Sequence, residues 1–347
     1  MKLIIARDLY LLSVIALIKV VSWLPSLKLR RFVANLIAFT AYRVSRNKRR
    51  LSEKNLSEAF DGKLDRDQML RIVRRSFYEF WYDILSLSLS NTERAALKGV
   101  GLRGAEHLHE ALKDGRGVIL LESSHFSKRT LAKQILHENG FSIHQVHSET
   151  HLGGFGNDDN PVSWVGRHII KRFFEGCEKR FVAEIIYLLG SDSLTFTRTL
   201  QDRLKRNTVL CSAGDGKVGQ KLIPLRFLGR TDLFPTGMVS LAKISGAPIL
   251  PMFCIRDRNG QISLIIERPI HLNTDGERER GLETSVTQYV SLLESYIRRY
   301  PEQYRNWQFL GEFYKRRCHR RNPADVRRAE EQTKRRADKE MKSSDMD

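Results

Sequence analysis

The spacing of apolar positions changes character near residue 101. Before it the pattern is helical. Leu9–Leu24 is apolar apart from Lys19 and two small hydroxyl residues, Asn55 and Leu56 lie in a short amphipathic stretch, and Asp65–Leu89 predicts a long helix with Phe77, Phe80, Trp81 and Ile84 on one face. An aromatic stripe of that kind reads as packing against a core or a membrane. Beyond residue 101, apolar runs at Gly117–Leu121, Thr208–Cys211, Lys221–Phe227, Ile249–Ile255 and Ile262–Ile266 predict strands. Helical segments, among them Leu131–His137, Leu194–Leu204 and Val239–Ile244, fall between several of them, and this order predicts an α/β layered sheet. The stretch after Tyr314 is charged and nearly free of large apolar residues, so it predicts an exposed helix or a disordered tail.

The Leu9–Leu24 run is shorter than the roughly 20 residues that a spanning helix needs. Lys19 suits snorkelling to a headgroup and Trp23 suits the interface, and Pro25 ends the run. No small-residue cleavage site follows it; Lys28, Arg30, Arg31 and the basic stretch Arg43–Arg50 come instead, and such cations stay on the cytoplasmic side. Residues 1–27 are therefore expected to form a short tilted or half-inserted membrane anchor rather than a buried core helix. An α/β domain over 28–314 and a basic tail over 315–347 follow.

Charge supports an anionic surface as partner. Of the net +19, about +10 lies in residues 1–50 and about +5 in 315–347. Membrane phosphates or an acidic carrier protein fit this distribution. Specific nucleic-acid binding does not, because zinc-finger spacing, RNA-binding aromatics and a heptad-plus-basic region are all missing. Cys177, Cys211, Cys254 and Cys318 form no close pair or metal pattern, which points to a reducing compartment.

The most informative local signal is the run Gly115–Thr130. A buried strand runs into a short turn holding His125, and a helix follows that Ser127 is placed to cap. His125 thus falls at the carboxyl end of a strand, where open α/β sheets place their ligands, and the first amides of the next helix favour negative charge there. Other constellations carry less. His144 and His147 point to opposite faces if Phe141–His147 is a strand, and with His151 they lack a cysteine or carboxylate at ligand spacing, so no metal is expected. The glycines Gly153, Gly154 and Gly156 with Asn157–Asn160 lack the strand–turn–helix context of a phosphate-binding fingerprint and the EF-hand spacing, and read as a loop near the site. Arg226 and Arg230 are candidates for surface ion pairs or for holding a phosphate.

Four blocks in order then resemble the bacterial lipid A biosynthesis (lauroyl/myristoyl) acyltransferases. The His125 block is similar to their His-Phe-Gly-x-Trp-Glu motif; Leu222–Arg230 resembles the Val-Pro-Phe-Phe/Leu-Gly-Arg block. Phe234–Gly237 with Leu241–Pro251 resembles the Thr-Gly to Gly-Ala-Pro-Val-Val-Pro run, and Arg298–Gln303 with Trp307 resembles the Pro-Glu-Gln-Trp segment. The resemblance implies a three-layer glycerolipid-acyltransferase-like sheet with flanking helices, on the cytoplasmic face of the inner membrane. It also implies acyl transfer from acyl carrier protein or acyl-CoA to a lipid hydroxyl, with His125 as base and no cofactor. Arg226, Arg230, Lys128 and Arg129 would be substrate-binding cations.

One departure stands out. Where the motif has its carboxylate, five residues after the histidine, this chain has Thr130. Threonine can accept a hydrogen bond from the ring but supplies no charge; in the serine-protease triad, losing that charge costs about 10⁴ in turnover. Lys128 and Arg129 would disfavour imidazolium further. Three readings stay open. Another acid serves (Glu122, Glu149 or, preferred, Asp215 in the turn Gly214–Gly216), transfer is slow or uses an easier acceptor, or catalysis is lost in a lipid-binding or complex-forming paralogue.

Overall fold

The computed structural model describes residues 3–24, 26–87, 101–126, 128–148, 163–188, 193–216, 221–257, 259, 261–272, 278–312 and 314. Ser127, Glu149, His151, the Gly153–Asn160 segment, Cys318 and the 315–347 tail lie outside them.

Four helices come first: α1 (Ala6–Ser22), α2 (Leu27–Val44), α3 (Arg46–Ala59) and α4 (Arg66–Leu85). The start of α4 is written locally: Asp65 accepts a hydrogen bond from the Gln68 amide, and the Gln68 side chain returns one from the Asp65 amide, a capping box. Among the described residues no helix is long and apolar enough to cross a membrane. The run expected to be an anchor forms a helix with one face in a core: Leu11, Val14, Ile15, Ile18 and Val21 pack with Tyr78, Ile84 and Leu85 of α4 and with Ile170 and Phe174. Asp8 is fully buried and accepts from the Ser163 hydroxyl at 2.5 Å. Arg30, one of the cations expected to stay on the cytoplasmic side, folds back and donates to the Leu24 and Ser22 carbonyls at 2.9 and 3.0 Å, capping the end of α1.

The second part alternates: β1 (Gly101–Arg103), α5 (Ala105–Lys113), β2 (Val118–Glu122), α6 (Arg129–Glu138), β3 (Ile143–Ser148), a π-helical turn (Gly166–Ile170) running into α7 (Lys171–Lys179), β4 (Glu184–Leu188), α8 (Ser193–Lys205) and β5 (Val209–Ala213). After a hairpin of β6 (Leu222–Phe227) and β7 (Arg230–Pro235) come α9 (Gly237–Ser245), β8 (Ile249–Arg256), β9 (Ile262–Ile266) and α10 (Arg278–Arg299). Seven strands make one mixed sheet in the order β1-β9-β8-β2-β5-β3-β4. β8 and β9 are antiparallel; the other pairings in this sheet are parallel.

β2 lies inside the sheet and is buried throughout. Its alternation divides the two layers: Ile119 and Leu121 pack with Tyr289 and Leu293 of α10, whereas Val118 and Leu120 pack with Ala132, Ile135 and Leu136 of α6. The short turn between β6 and β7 is Leu228–Gly229, with φ of 50° and 77°. Two left-handed residues in a two-residue loop are what a twisted hairpin requires. The left-handed Leu228 is held there by full burial and by the Glu294 carboxylate, which accepts from its amide at 2.9 Å.

Candidate active site

The parallel register pairs Glu122 at the end of β2 with Ala213 at the end of β5, so the two chains leave the sheet side by side. Two residues further on, Ser124 and Asp215 meet. Asp215 is buried; one carboxylate oxygen accepts from the Ser124 amide and the other from the Ser123 hydroxyl, each at 2.5 Å. The Ser123 oxygen in turn accepts from the amides of His125 (3.2 Å) and Phe126 (2.9 Å). Phe126 is fully buried against Phe253 and Tyr296. Arg305 closes the outer side of the turn, its amide donating to the His125 carbonyl at 2.8 Å and its guanidinium to the Ser124 carbonyl at 3.1 Å. The backbone carrying His125 is thus fixed from both sides, and the residue itself is half-buried at the strand end. Gly214 permits this arrangement: a Cβ there would stand 2.4 Å from the Tyr289 ring, whose hydroxyl donates to the Glu122 carbonyl at 2.9 Å.

The expected site residues divide. His125 and Asp215 come together as one turn, with Asp215 spending both oxygens on the backbone and hydroxyl that shape it. Thr130 is half-buried in the first turn of α6, with no side-chain hydrogen bond among the described residues. Glu122 projects to the opposite, α6 face. Its carboxylate accepts from Arg129 at 2.6 Å, Lys133 at 3.0 Å and Gln145 at 3.1 Å, so this candidate acid is already committed.

Three of the four cations expected to bind substrate meet carboxylates. Lys128 is buried with its ammonium 3.0 Å from Glu79 and 2.5 Å from Asp83 on α4, and Arg129 is spent on Glu122. Burial opposes charge on Lys128, yet Asp83 and Glu79 prevail and hold its pKa above the ordinary value. Because each cation is matched by a carboxylate, neither acts as the uncompensated charge expected to disfavour an imidazolium. Arg230 reaches Glu58 of α3 and ties the hairpin to the N-terminal helices. Arg226 is exposed on β6. The β3 histidines face opposite sides of the sheet, as alternation requires: His144 meets Glu184 at 3.0 Å, and His147 meets Glu178 at 2.5 Å. Among the described residues no group of histidine, cysteine and acidic side chains is arranged to hold a metal.

Sequence reading had no signal for the charge network beneath the turn. Lys133, fully buried, sits 3.0 Å from Glu122 and 2.8 Å from Glu178, which also meets His147. Burial alone would raise the pKa values of Glu122 and Glu178; Arg129 and Lys133 override it for the first, and Lys133 and His147 for the second, leaving both depressed. Depressed carboxylates lose stabilisation as pH falls: the unfolded chain takes up protons near pH 4.3, before the folded chain does, so unfolding free energy drops with pH. The urea midpoint is expected to be level above about pH 5 and to fall steadily below about pH 4. A midpoint unchanged down to pH 3 would show these acids are not held charged.

Over residues 3–152 and 170–308 the sequence matches the bacterial lipid A biosynthesis acyltransferase family. The protein belongs to that family of acyltransferases. Among solved structures, it is similar to the 1-acyl-sn-glycerophosphate acyltransferase PlsC from Thermotoga maritima, at 14% identity and a TM-score of 0.31, covering 77% of this chain and 99% of that one. No curated protein matches the sequence.

Proposed function

We propose that the protein moves a fatty acyl chain from acyl carrier protein or acyl-CoA to a lipid hydroxyl at the cytoplasmic face of the inner membrane, with His125 as general base. The observation that carries this reading is the pinned His125 turn at the carboxyl end of an internal parallel strand, in a member of this family. The imidazole takes the proton of the lipid hydroxyl as its oxygen forms a bond to the thioester carbonyl carbon. The tetrahedral intermediate then collapses, the C–S bond breaks, and the proton goes to the departing thiolate, leaving an ester and a free thiol. Asp215 acts as a positioning residue that holds the histidine's backbone, and Thr130 stands where the motif acid is expected.

Thr130, without a side-chain hydrogen bond among the described residues, also favours a second reading, a lipid-binding paralogue without turnover. Both are tested by following thiol release from palmitoyl-CoA and a palmitoyl carrier protein with phospholipid and lipid A-precursor acceptors. A weakened transferase is expected to turn over slowly as wild type and to gain within the ~10²–10⁴ range of acid–base effects on Thr130→Glu. No turnover in either form, with lipid binding intact, would sink the transferase reading.

Membrane attachment is proposed through an interfacial face. Leu29, Phe32, Leu36 and Phe39 recur at helical spacing on α2 and are exposed, as are Leu9 and Val20 of α1 and Trp23 just past its end. Lys28 and Arg31 lie alongside and suit anionic headgroups. Phe32→Glu with Leu36→Glu is expected to abolish flotation with phosphatidylglycerol-containing vesicles at high salt while leaving the fold unchanged. Undiminished flotation would move the contact elsewhere.

A further inference from the structure

Every other cation around the His125 turn has a carboxylate. Lys128 has Glu79 and Asp83, Arg129 has Glu122, Lys133 has Glu122 and Glu178, and Arg256 has Glu79 at 3.4 Å. Arg305 is different. Among the described residues its guanidinium makes one hydrogen bond, to the Ser124 carbonyl, and no ion pair. Burial draws its pKa down; Asp83, Asp215 and Glu122 act on it only through space, being held by Lys128, by the serines and by Arg129 and Lys133. A half-buried cation left without a counter-charge is costly unless something completes it.

The segment that carries Arg305 is held rigidly. The preceding 3₁₀ turn, Pro301–Gln303, is locked by the Gln303 side chain, which accepts from the Arg256 amide at 2.9 Å and donates to the Arg256 carbonyl at 2.6 Å. Behind it the Trp307 indole donates to the Pro301 carbonyl at 2.8 Å, and Asn55 of α3 donates to the Trp307 carbonyl at 2.6 Å. A fork of donors is therefore fixed in advance beside the histidine, with its remaining N–H groups uncommitted. A planar guanidinium of this kind matches the paired oxygens of a phosphate.

We propose that Arg305 is the phosphate-binding residue of the site, receiving a phosphate oxygen pair of the bound substrate next to His125. The proposal rests on the His125 crevice being the lipid site but not on turnover there. The phosphate comes from a lipid headgroup or from the pantetheine arm of the donor, and the two sources are separable by matched probes.

The full-length protein, its Arg305→Lys variant and its Arg305→Met variant would be titrated with two pairs of ligands. One pair is lysophosphatidic acid against monoacylglycerol of the same chain; the other is palmitoyl-CoA against S-palmitoyl-N-acetylcysteamine. Wild type is expected to prefer the phosphorylated member of at least one pair, and Arg305→Met to lose that preference by about ten- to hundredfold while binding the phosphate-free member as before. Arg305→Lys keeps part of it, a point charge without the fork. The pair that responds identifies the source. If Arg305→Met fails to fold, protection in wild type decides: the phosphorylated ligand slows phenylglyoxal modification of Arg305 and its phosphate-free partner does not. Equal losses for both members of each pair, or unchanged preference and no protection, would overturn the proposal. Binding selectivity without thiol release would leave Arg305 in place and remove the transferase reading instead.

Discussion

Replacing His125 by alanine is expected to remove acyl transfer, by at least the ~10²–10⁴ that a positioned general base contributes, with the fold retained. The turn is held through main-chain groups: the amides of Ser124, His125 and Phe126, and the carbonyls of Ser124 and His125, all have partners that survive the substitution. The anchoring ring is that of Phe126, one residue on. The assay is thiol release with a lipid acceptor, run beside a thermal melt. Turnover near wild type would take His125 out of the mechanism, whereas a collapsed melt would make it a structural residue. Asp215→Asn separates charge from position in the same turn. An amide has one acceptor oxygen where the carboxylate uses two, so either the Ser123 or the Ser124 bond is lost and turnover falls with it.

Substituting Lys133 with methionine should cost about 3–5 kcal/mol of stability, the usual penalty for stranding buried charge. The methionine fills the space of the stem but leaves Glu122 and Glu178 facing one another, with Arg129 and His147 as their remaining charged partners and Gln145 still donating to Glu122. Urea unfolding measures the loss directly. Adding Glu178→Gln to Lys133→Met removes one of the two stranded carboxylates, so the double variant is expected to recover a large part of the loss. A loss below about 1 kcal/mol for the single variant would mean that water or rearrangement already compensates these acids.

Both experiments act on residues of one short segment, and their legibility in the sequence differs for a physical reason. His125 was visible because a buried strand, a turn and a helix are each local: apolar run, short polar break and 3.6-residue period lie within residues 115–138, and the strand end is where an α/β sheet opens to ligands. Lys133 was not. A lysine in a helix that also carries Leu131 and Ile135 looks like an ordinary polar position, and its burial depends on Glu122 and Glu178, the second of them on an element 45 residues away. Glu122 is legible as a candidate acid from its place near His125, but not the face it takes. The pleat did turn it to the α6 side, where three donors meet it.

What the sequence by itself determined is what periodicity encodes. The predicted strands at Ile262–Ile266, Ile249–Ile255 and Thr208–Cys211 correspond to β9, β8 and β5, and the predicted helices Leu131–His137, Leu194–Leu204 and Val239–Ile244 to α6, α8 and α9, within a residue or two at each end. β7 escaped because its turn, Leu228–Gly229, holds a leucine in the left-handed region, a conformation paid for by burial and the distant Glu294. β1 escaped because its three residues include only one apolar side chain, and β4 because five residues, although mostly apolar, are too short a run to show a period. Tertiary structure alone decided how the charges are shared. The Leu9–Leu24 run became a helix with one face in a core because α4 offers it Tyr78, Ile84 and Leu85. Lys128, Arg129 and Arg230 became internal partners because acids from α4, β2 and α3 reach them first. Among the described residues, Arg305 was left beside His125 without a paired carboxylate. Ion pairs join residues by distance in space, which no local period records; that is why the place of the chemistry was legible in one dimension and its electrostatics only in three.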